Sequence, residues 1–571
     1  MKYPLDEFER EVKDRIRKAL QGLEVEIKLD TPPSPDMGDL AFACFPLAKL
    51  VKKHPSEIAK DLSERIDIGG WIGSVRAEGG YLNFFIDDRR LATEVITHIR
   101  ELDDRYGSFE RKGEKVIIEH TSANPNGPLH VGRARNPIIG DTLVRLYRFF
   151  GYQVESQFYV DDLGKQVAIL AWGLKNIDPS TLPPCEREKP DHVLVRFYQK
   201  AYQLMEKDER VRREVDEITR LCEEGDRETV ELVRSAYERV LEGIKESLRR
   251  INIEFDRFVE ESRFVRDGSV KEIVERLKKS GYASQEDGAW YLDLKEFGIE
   301  GRDTRFFFTR SDGTTLYATR DIAYHIWKAK HADILINVLG EDHKLESKQV
   351  EIALRILGVK KIPKVVFYSF VTLPEGKLST RRGRVIYLDD LIDESVERAY
   401  REVRKRRKDL EEERLREIAE SVGIGALRYN IIKIQPEKDI VFRWEDALNF
   451  EGNSAPFIQY AHARACSILR KEGAPDRVRI ERLNHRQEIL LIKLLARFPI
   501  VVREACLGNK PHLVASYLYD LASQFNQFYR DCPVLKAEED LKRERLALVD
   551  STRIVLRNGL DLLGIPAPEE M

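Results

Sequence analysis

Two stretches of this 571-residue chain combine histidine, cations and glycines in a way that suits phosphate chemistry. The first is Glu119-His120-Thr121-Ser122-Ala123-Asn124-Pro125-Asn126-Gly127-Pro128-Leu129-His130-Val131-Gly132-Arg133. It follows the apolar run Val116-Ile117-Ile118 and precedes a stripe of Ile138, Ile139, Leu143, Leu146, Tyr147 and Phe150 at helical period. A loop between strand end and helix start offers free N–H groups and the positive end of the helix to an anion. Gly132 permits close approach of a nucleotide to the backbone, and His130 can donate to developing charge. An ordinary polar strand-to-helix loop would contain similar residues. The second stretch, Leu373-Pro374-Glu375-Gly376-Lys377-Leu378-Ser379-Thr380-Arg381-Arg382-Gly383-Arg384, again follows a strand-like run. Its two glycines and four cations suit a loop that closes on polyphosphate; a basic surface loop is the plainer alternative.

Both stretches fall at strand ends, so the elements that position them matter. Short continuous apolar runs at 116–118, near 152–160, at 334–338 and at 365–370 are separated by amphipathic segments. That pattern predicts an α/β domain with a parallel sheet buried on both faces, which binds ligands at its carboxyl edge. Residues 172–300 interrupt it with a proline-rich entry and a long charged helical section, read as an insertion. Residues 1–107 mix short helices with strand-like runs such as Tyr81–Ile86 and read as a small α+β domain. After 390 the strand signals stop, so the expected division is 1–107, 108–395 and an all-α helical bundle over 396–571.

Composition narrows the class. Lys plus Arg number 96 against 99 Asp plus Glu, which excludes binding of nucleic acid through global basicity but not through local patches. No apolar run is long enough to span a membrane and no signal-peptide stretch opens the chain, so a cytoplasmic protein with no membrane partner is expected. The six cysteines include no CxxC pair, so no zinc or other metal site is expected and buried reduced thiols are.

Several motifs then coincide in order. His130-Val131-Gly132-Arg133 resembles the first signature of class I aminoacyl-tRNA synthetases, usually written HIGH. Lys377-Leu378-Ser379-Thr380-Arg381 resembles the second, usually KMSKS. Ser122-x-Asn124, Arg135-Asn136, Gly140-Asp141, Asp161-Asp162-x-Gly164-x-Gln166, Leu316-Tyr317-x-Thr319-Arg320-Asp321 and Gln459-Tyr460-Ala461-His462-Ala463-Arg464 resemble arginyl-tRNA synthetases in particular. Each motif alone is weak; the ordered set, from about residue 38 to 530, is specific.

The resemblance implies a Rossmann-like catalytic domain that joins L-arginine to tRNA(Arg) at the expense of ATP, with Mg²⁺ entering as part of the nucleotide. It implies ATP contacts from Pro128, His130, Gly132, Arg133, Lys377 and Leu378. Catalytic roles would fall to His130, Gly132, Arg133, Lys377, Ser379 and Arg381. Arginine would be held by Glu119, Ser122, Asn124, Tyr317, Asp321 and Asp342, since only a fixed carboxylate pairs bidentately with a guanidinium. The N-terminal region would touch the outer corner of tRNA and the helical region its anticodon. Of the aromatics near 517–529, helical spacing assigns most to the core, and Asn526 and Tyr529 are the expected RNA contacts. A monomer is expected, as is a requirement for tRNA in the first step.

Two departures stand out: Arg133 replaces the second histidine of the first signature, and Thr380 the second lysine of the KMSKS-type loop. Relatives lacking that lysine often carry another just before the first signature, where this chain has Gly127. The competing readings are a synthetase for another amino acid, a non-catalytic tRNA-binding paralogue and a nucleotidylyltransferase; a helical domain of tRNA-binding size weighs against the last.

Overall fold

The computed structural model describes residues 2–299, 304–372, 386–476 and 478–571. The signature residues Lys377, Leu378, Ser379, Thr380, Arg381 and Arg382 lie outside the described residues.

The N-terminal region opens with the helix Pro4–Ala19, which buries Phe8, Val12 and Ile16 at four-residue spacing. It packs near an antiparallel sheet of β1 (Leu29–Asp30), β2 (Leu40–Ala43), β3 (Ile72–Glu78) and β4 (Tyr81–Ile86), in the order β1-β2-β4-β3. Gly79 and Gly80, both at positive φ, form the two-residue turn between β3 and β4.

The central sheet is parallel throughout. It consists of β5 (Lys115–Glu119), β6 (Gln153–Val160), β7 (Arg257–Glu260), β11 (Ile334–Gly340) and β12 (Lys364–Tyr368), in the order β12-β11-β5-β6-β7. Val116, Ile117 and Ile118 are buried completely, as expected of a strand covered on both faces. The strand order reverses at β5, so a crevice opens between the carboxyl ends of β5 and β11, where such sheets bind nucleotides. Between β7 and β11, the strands β8 (Ala283–Glu286), β9 (Ala289–Asp293) and β10 (Arg305–Phe307) form a separate antiparallel sheet.

Two sequence expectations need correction. β7 falls inside 172–300 and pairs with β6, so the helical interruption ends near residue 250, where the helix Arg227–Arg250 stops. Its strand was obscured because Arg257 and Glu260 make it read as charged loop. Strand structure also recurs after 390: Ile440–Val441 (β14) lies parallel to Val371–Thr372 (β13). The remainder is helical, and the helix Leu388–Arg406 runs unbroken through residue 395.

Buried polar anchors tie these regions together. Arg428, fully buried, reaches Asp141 at 2.6 Å and donates to the carbonyls of Leu563 and Ile251. Tyr106 Oη donates to the Leu495 carbonyl, and Lys493 pairs with Asp39 at 2.8 Å. No helix among the described residues is long and apolar enough to cross a membrane.

Candidate active site

At the switch point, His130 is the cap of a short 3₁₀ turn, Val131–Arg133, that leads into the helix Arg135–Phe149. Its Nδ1 accepts the Gly132 N–H at 3.0 Å, so in the neutral ring Nε2 carries the proton and can donate outward. Burial, followed by the nearby Arg133 charge, lowers the His130 pKa and favours that neutral form. A Cβ on Gly132 would stand 3.0 Å from Nδ1, so the glycine keeps this contact open. Arg133 is exposed beside the turn and forms no ion pair among the described residues. Pro128 and Leu129 lead into the turn, and the loop is paired with the segment that follows the second signature. Val131 N–H donates to the Ile386 carbonyl and Leu388 N–H to that of Leu129.

The pair Arg135-Asn136 serves this arrangement as scaffold. Asn136 accepts from Thr121 N and donates to the Val338 carbonyl, bridging the ends of β5 and β11. Arg135, fully buried, donates to the carbonyls of Ser369, Gln435 and Lys438, which fixes the chain just after β12. Thr121 and Ser122 have φ of +71° and +41°, a strained pair held by those contacts.

A second cluster lies beyond the ends of β6 and β7. Tyr317 opens the helix Tyr317–His331, and Asp321 follows one turn later. Gly164, at φ +124°, leaves room for Tyr317: a Cβ there would stand 3.0 Å from the phenol oxygen. Two buried atoms nearby, Tyr159 Oη and Asp161 Oδ1, have no hydrogen-bond partner among the described residues. Burial, then the charges of Glu261 and Asp321, raises the Tyr159 pKa. Burial pushes the Asp161 carboxyl up to about 6, and burial with the Asp161 charge raises Glu261. Buried Arg320 already pairs Glu261 at 2.8 Å, so within this cluster it is the unpartnered Tyr159 and Asp161 atoms that suit a further polar donor. Asp321 behaves differently. Burial would raise it, but His325, by its charge when protonated and by its hydrogen bond, then Lys328 and His343, outweigh that and hold it below the ordinary carboxylate range.

The other expected arginine ligands are placed unevenly. Asn124 Nδ2 donates to Gln166 Oε1 at 3.0 Å, and its Oδ1 has no partner among the described residues. Ser122 Oγ is engaged with Glu119 and the Tyr159 N–H. Glu119 is not a free carboxylate: buried Lys328 donates to its Oε2 at 2.5 Å. Asp342 sits in the 3₁₀ turn Glu341–His343 after β11, half exposed, 3.7 Å from His343. The sequence reading missed Tyr159, Glu261, His325, Lys328 and Asn337. Of these, only His325 and Lys328 carried a signal, their helical spacing from Asp321.

Gly127 also finds a reason. A Cβ there would come within 2.6 Å of Val195 Cγ2, on the helix Pro190–Lys207. A grouping of Asp191, His192 and Asp389 has the spacing of metal ligands, but the Lys189 ammonium lies at 3.0 Å from Asp191 and 2.9 Å from Asp389 and supplies their positive charge.

Far from this centre, Arg464 lies over the rings of Tyr460 (4.8 Å) and Tyr529 (5.3 Å) and donates to Asn526 Oδ1 at 2.6 Å. Arg464, Tyr460 and Tyr529 line a cleft of about 340 Å³ with Arg407, Arg470, Lys471, Glu569 and Glu570. Tyr517, Phe525 and Phe528 are buried, whereas Tyr460 and Tyr529 are exposed. Gln459 and His462, from the same motif, instead pin the carbonyls of Pro566 and Pro568.

A doubly wound parallel sheet with a histidine-glycine turn at its switch point and an appended helical domain has the architecture of a class I aminoacyl-tRNA synthetase. Residues 95–444 match the family "tRNA synthetases class I (R), catalytic domain", residues 458–571 the "DALR anticodon binding domain", and residues 6–86 the "Arginyl tRNA synthetase N terminal domain". The arginine–tRNA ligase of Methanocella arvoryzae is 51% identical over 92% of each chain, and that of Methanothermobacter thermautotrophicus 48% over 99% of each. The solved structure of Thermus thermophilus arginyl-tRNA synthetase superposes with a TM-score of 0.83 at 31% identity, covering 98% of this chain and all of that one. The chain belongs to the arginyl-tRNA synthetase family.

Proposed function

We propose that the chain activates L-arginine with ATP and transfers it to the 2′-OH of the terminal adenosine of tRNA(Arg). The observation that supports this best is the cluster of Tyr159, Asp161, Tyr317 and Asp321 at the end of β6 and the start of the helix Tyr317–His331, on the sheet whose switch point carries His130. The guanidinium meets Asp321 and Tyr317, and the α-ammonium meets Asn124 Oδ1. The arginine carboxylate oxygen then attacks the α-phosphorus as the bond to pyrophosphate breaks. His130 Nε2–H, Gly132 N–H and Arg133 stabilise the charge that develops, with Lys377, Ser379 and Arg381 assigned to the departing pyrophosphate. Pro128 and Leu378 border the nucleotide, which enters with its Mg²⁺. The 2′-OH next attacks the arginyl carbonyl and AMP leaves.

The helical region after about 396 is assigned to the anticodon, through Tyr460, Tyr529, Arg464 and Asn526, since exposed aromatics beside cations suit splayed single-stranded bases. The region before about 107 is assigned to the outer corner of tRNA, where Phe45 and Tyr81 stand exposed 5.3 Å apart. We assign a monomer acting in the cytoplasm. The test is ATP–pyrophosphate exchange with each of the twenty amino acids, with and without unfractionated tRNA. Exchange with arginine alone, requiring tRNA, is the expected result. Exchange with another amino acid, or none from protein that still binds tRNA, overturns the reading.

A further inference from the structure

We infer that His325, Asn337 and Lys328 act as a positioning relay that presents Asp321 to the substrate guanidinium in one fixed orientation. This rests on the reading that Asp321 receives that guanidinium.

The relay begins in strand register. β5 and its neighbours align Glu119, at the carboxyl end of β5, with Gln157 of β6 on one side and with Asn337 of β11 on the other. The helix Tyr317–His331 crosses them with Asp321, His325 and Lys328 at spacings of four and three, on one face. Lys328, fully buried, donates to Glu119 Oε2 at 2.5 Å and to Asn337 Oδ1 at 3.0 Å, over the ring of Tyr324. An ammonium only donates, so the Asn337 amide must turn its oxygen toward Lys328 and its NH₂ toward His325 Nε2, 2.8 Å away. Nε2 is therefore the acceptor of the imidazole and Nδ1 carries the proton. Nδ1 lies 2.7 Å from the Asp321 carbonyl and 3.0 Å from Asp321 Oδ1.

Each link thus fixes the next: a buried charge sets an amide, the amide sets a tautomer, and the tautomer turns the Nδ1–H toward Asp321, where the main-chain carbonyl takes the shorter contact and one carboxylate oxygen stands beside the same N–H at 3.0 Å. Asp321 Oδ2 has no partner among the described residues, and the side chain retains 35% of its exposure. A free aspartate would sample several rotamers and suit lysine or arginine alike; an anchored one favours the planar fork. The relay also gives buried Glu119 a counter-ion, the lysine that starts the chain.

The test uses the full-length protein with tRNA, reading ATP–pyrophosphate exchange for arginine and melting temperature in parallel. His325→Leu and Asn337→Leu are each expected to raise the arginine KM about tenfold, the scale of one hydrogen bond to a charged group. The ATP KM should stay within about twofold, because uniform substrate binding alone is lost. His325→Gln, which keeps an N–H donor, should recover part of the loss. In an Asp321→Asn background, His325→Leu should add little, since it acts through that carboxylate. If Asp321→Asn leaves the arginine KM unchanged, the guanidinium reading falls. If Asp321→Asn raises it but His325→Leu does not, or adds its full loss in the Asn background, the relay is refuted with that reading intact. Should the leucine variants not fold, His325→Gln and Asn337→Ser carry the same comparison.

Discussion

At the scale of single residues, chemistry here depends on which groups are already engaged. Asp321 and Glu119 are both carboxylates near the pocket, but Glu119 is neutralised by Lys328 while Asp321 keeps an oxygen free. Asp321→Ala is therefore expected to abolish arginine-dependent exchange while leaving ATP binding, followed by calorimetry with a non-hydrolysable analogue, nearly unchanged. His120 makes a different prediction. Its ring is buried against Phe255, and burial lowers its pKa to about 4. The unfolded chain takes up this proton near the ordinary histidine pKa of about 6.5, the folded chain only near 4. The native state therefore binds fewer protons, so this contribution is intact above about 6.5 and declines as pH falls toward 4, by about 3 kcal/mol in all. Melting curves between pH 7.5 and 4.5 should show the decline, and His120→Gln, although less stable at neutral pH, should flatten it.

At the scale of elements, short loops succeed because neighbouring helices and strands clamp them. Asn136 and Arg135 hold the strand ends, and Gln166 holds Asn124 and Asn126 together. Gly127 marks where the helix Pro190–Lys207 presses against the first signature. Gly127→Lys alone should lower both melting temperature and exchange rate, overpacking costing about 1–3 kcal/mol. Adding Val195→Ala, which removes the methyl group at 2.6 Å but keeps the Cβ at 3.0 Å, should restore part of the stability. Recovery of exchange above the parent would mean that a lysine here can supply charge absent at Thr380. These elements were partly legible beforehand. Apolar runs at 116–118, 152–160, 334–338 and 365–370 predicted four of the five central strands because parallel strands are apolar on both faces. β7 was not legible, since Arg257 and Glu260 at a sheet edge remove that signature.

At the scale of the whole molecule, the catalytic sheet and the helical domain share buried charge. Arg428 on the helix Glu412–Ile432 is fully enclosed by Asp141, Ile251 and Leu563, and a Cβ on Gly564 would strike it. Breaking such a pair strands the remaining charge, so Arg428→Leu is expected to destabilise the protein by about 3–5 kcal/mol. Calorimetry should show a lower melting temperature and separation of the helical domain's transition from that of the sheet. A single unshifted transition would mean that the domains are coupled elsewhere, as by Tyr106 to Leu495 and Lys493 to Asp39.

The sequence by itself determined the family and its class of chemistry, and it singled out the candidate residues. His130, Gly132, Asn124, Tyr317 and Asp321 were identifiable because motifs are local: a few adjacent residues at a strand end form a turn whatever the rest of the chain does. It also separated Tyr529 from its buried neighbours only in part, since helical period gives a face but not what covers it. The tertiary structure alone decided the partnerships. Lys328 meets Glu119 across 209 positions of chain, and Arg428 meets Asp141 across 287. Such pairs leave no periodic trace, because hydrogen bonding and desolvation depend on distance in space. A buried lysine and a solvated one are spelled alike.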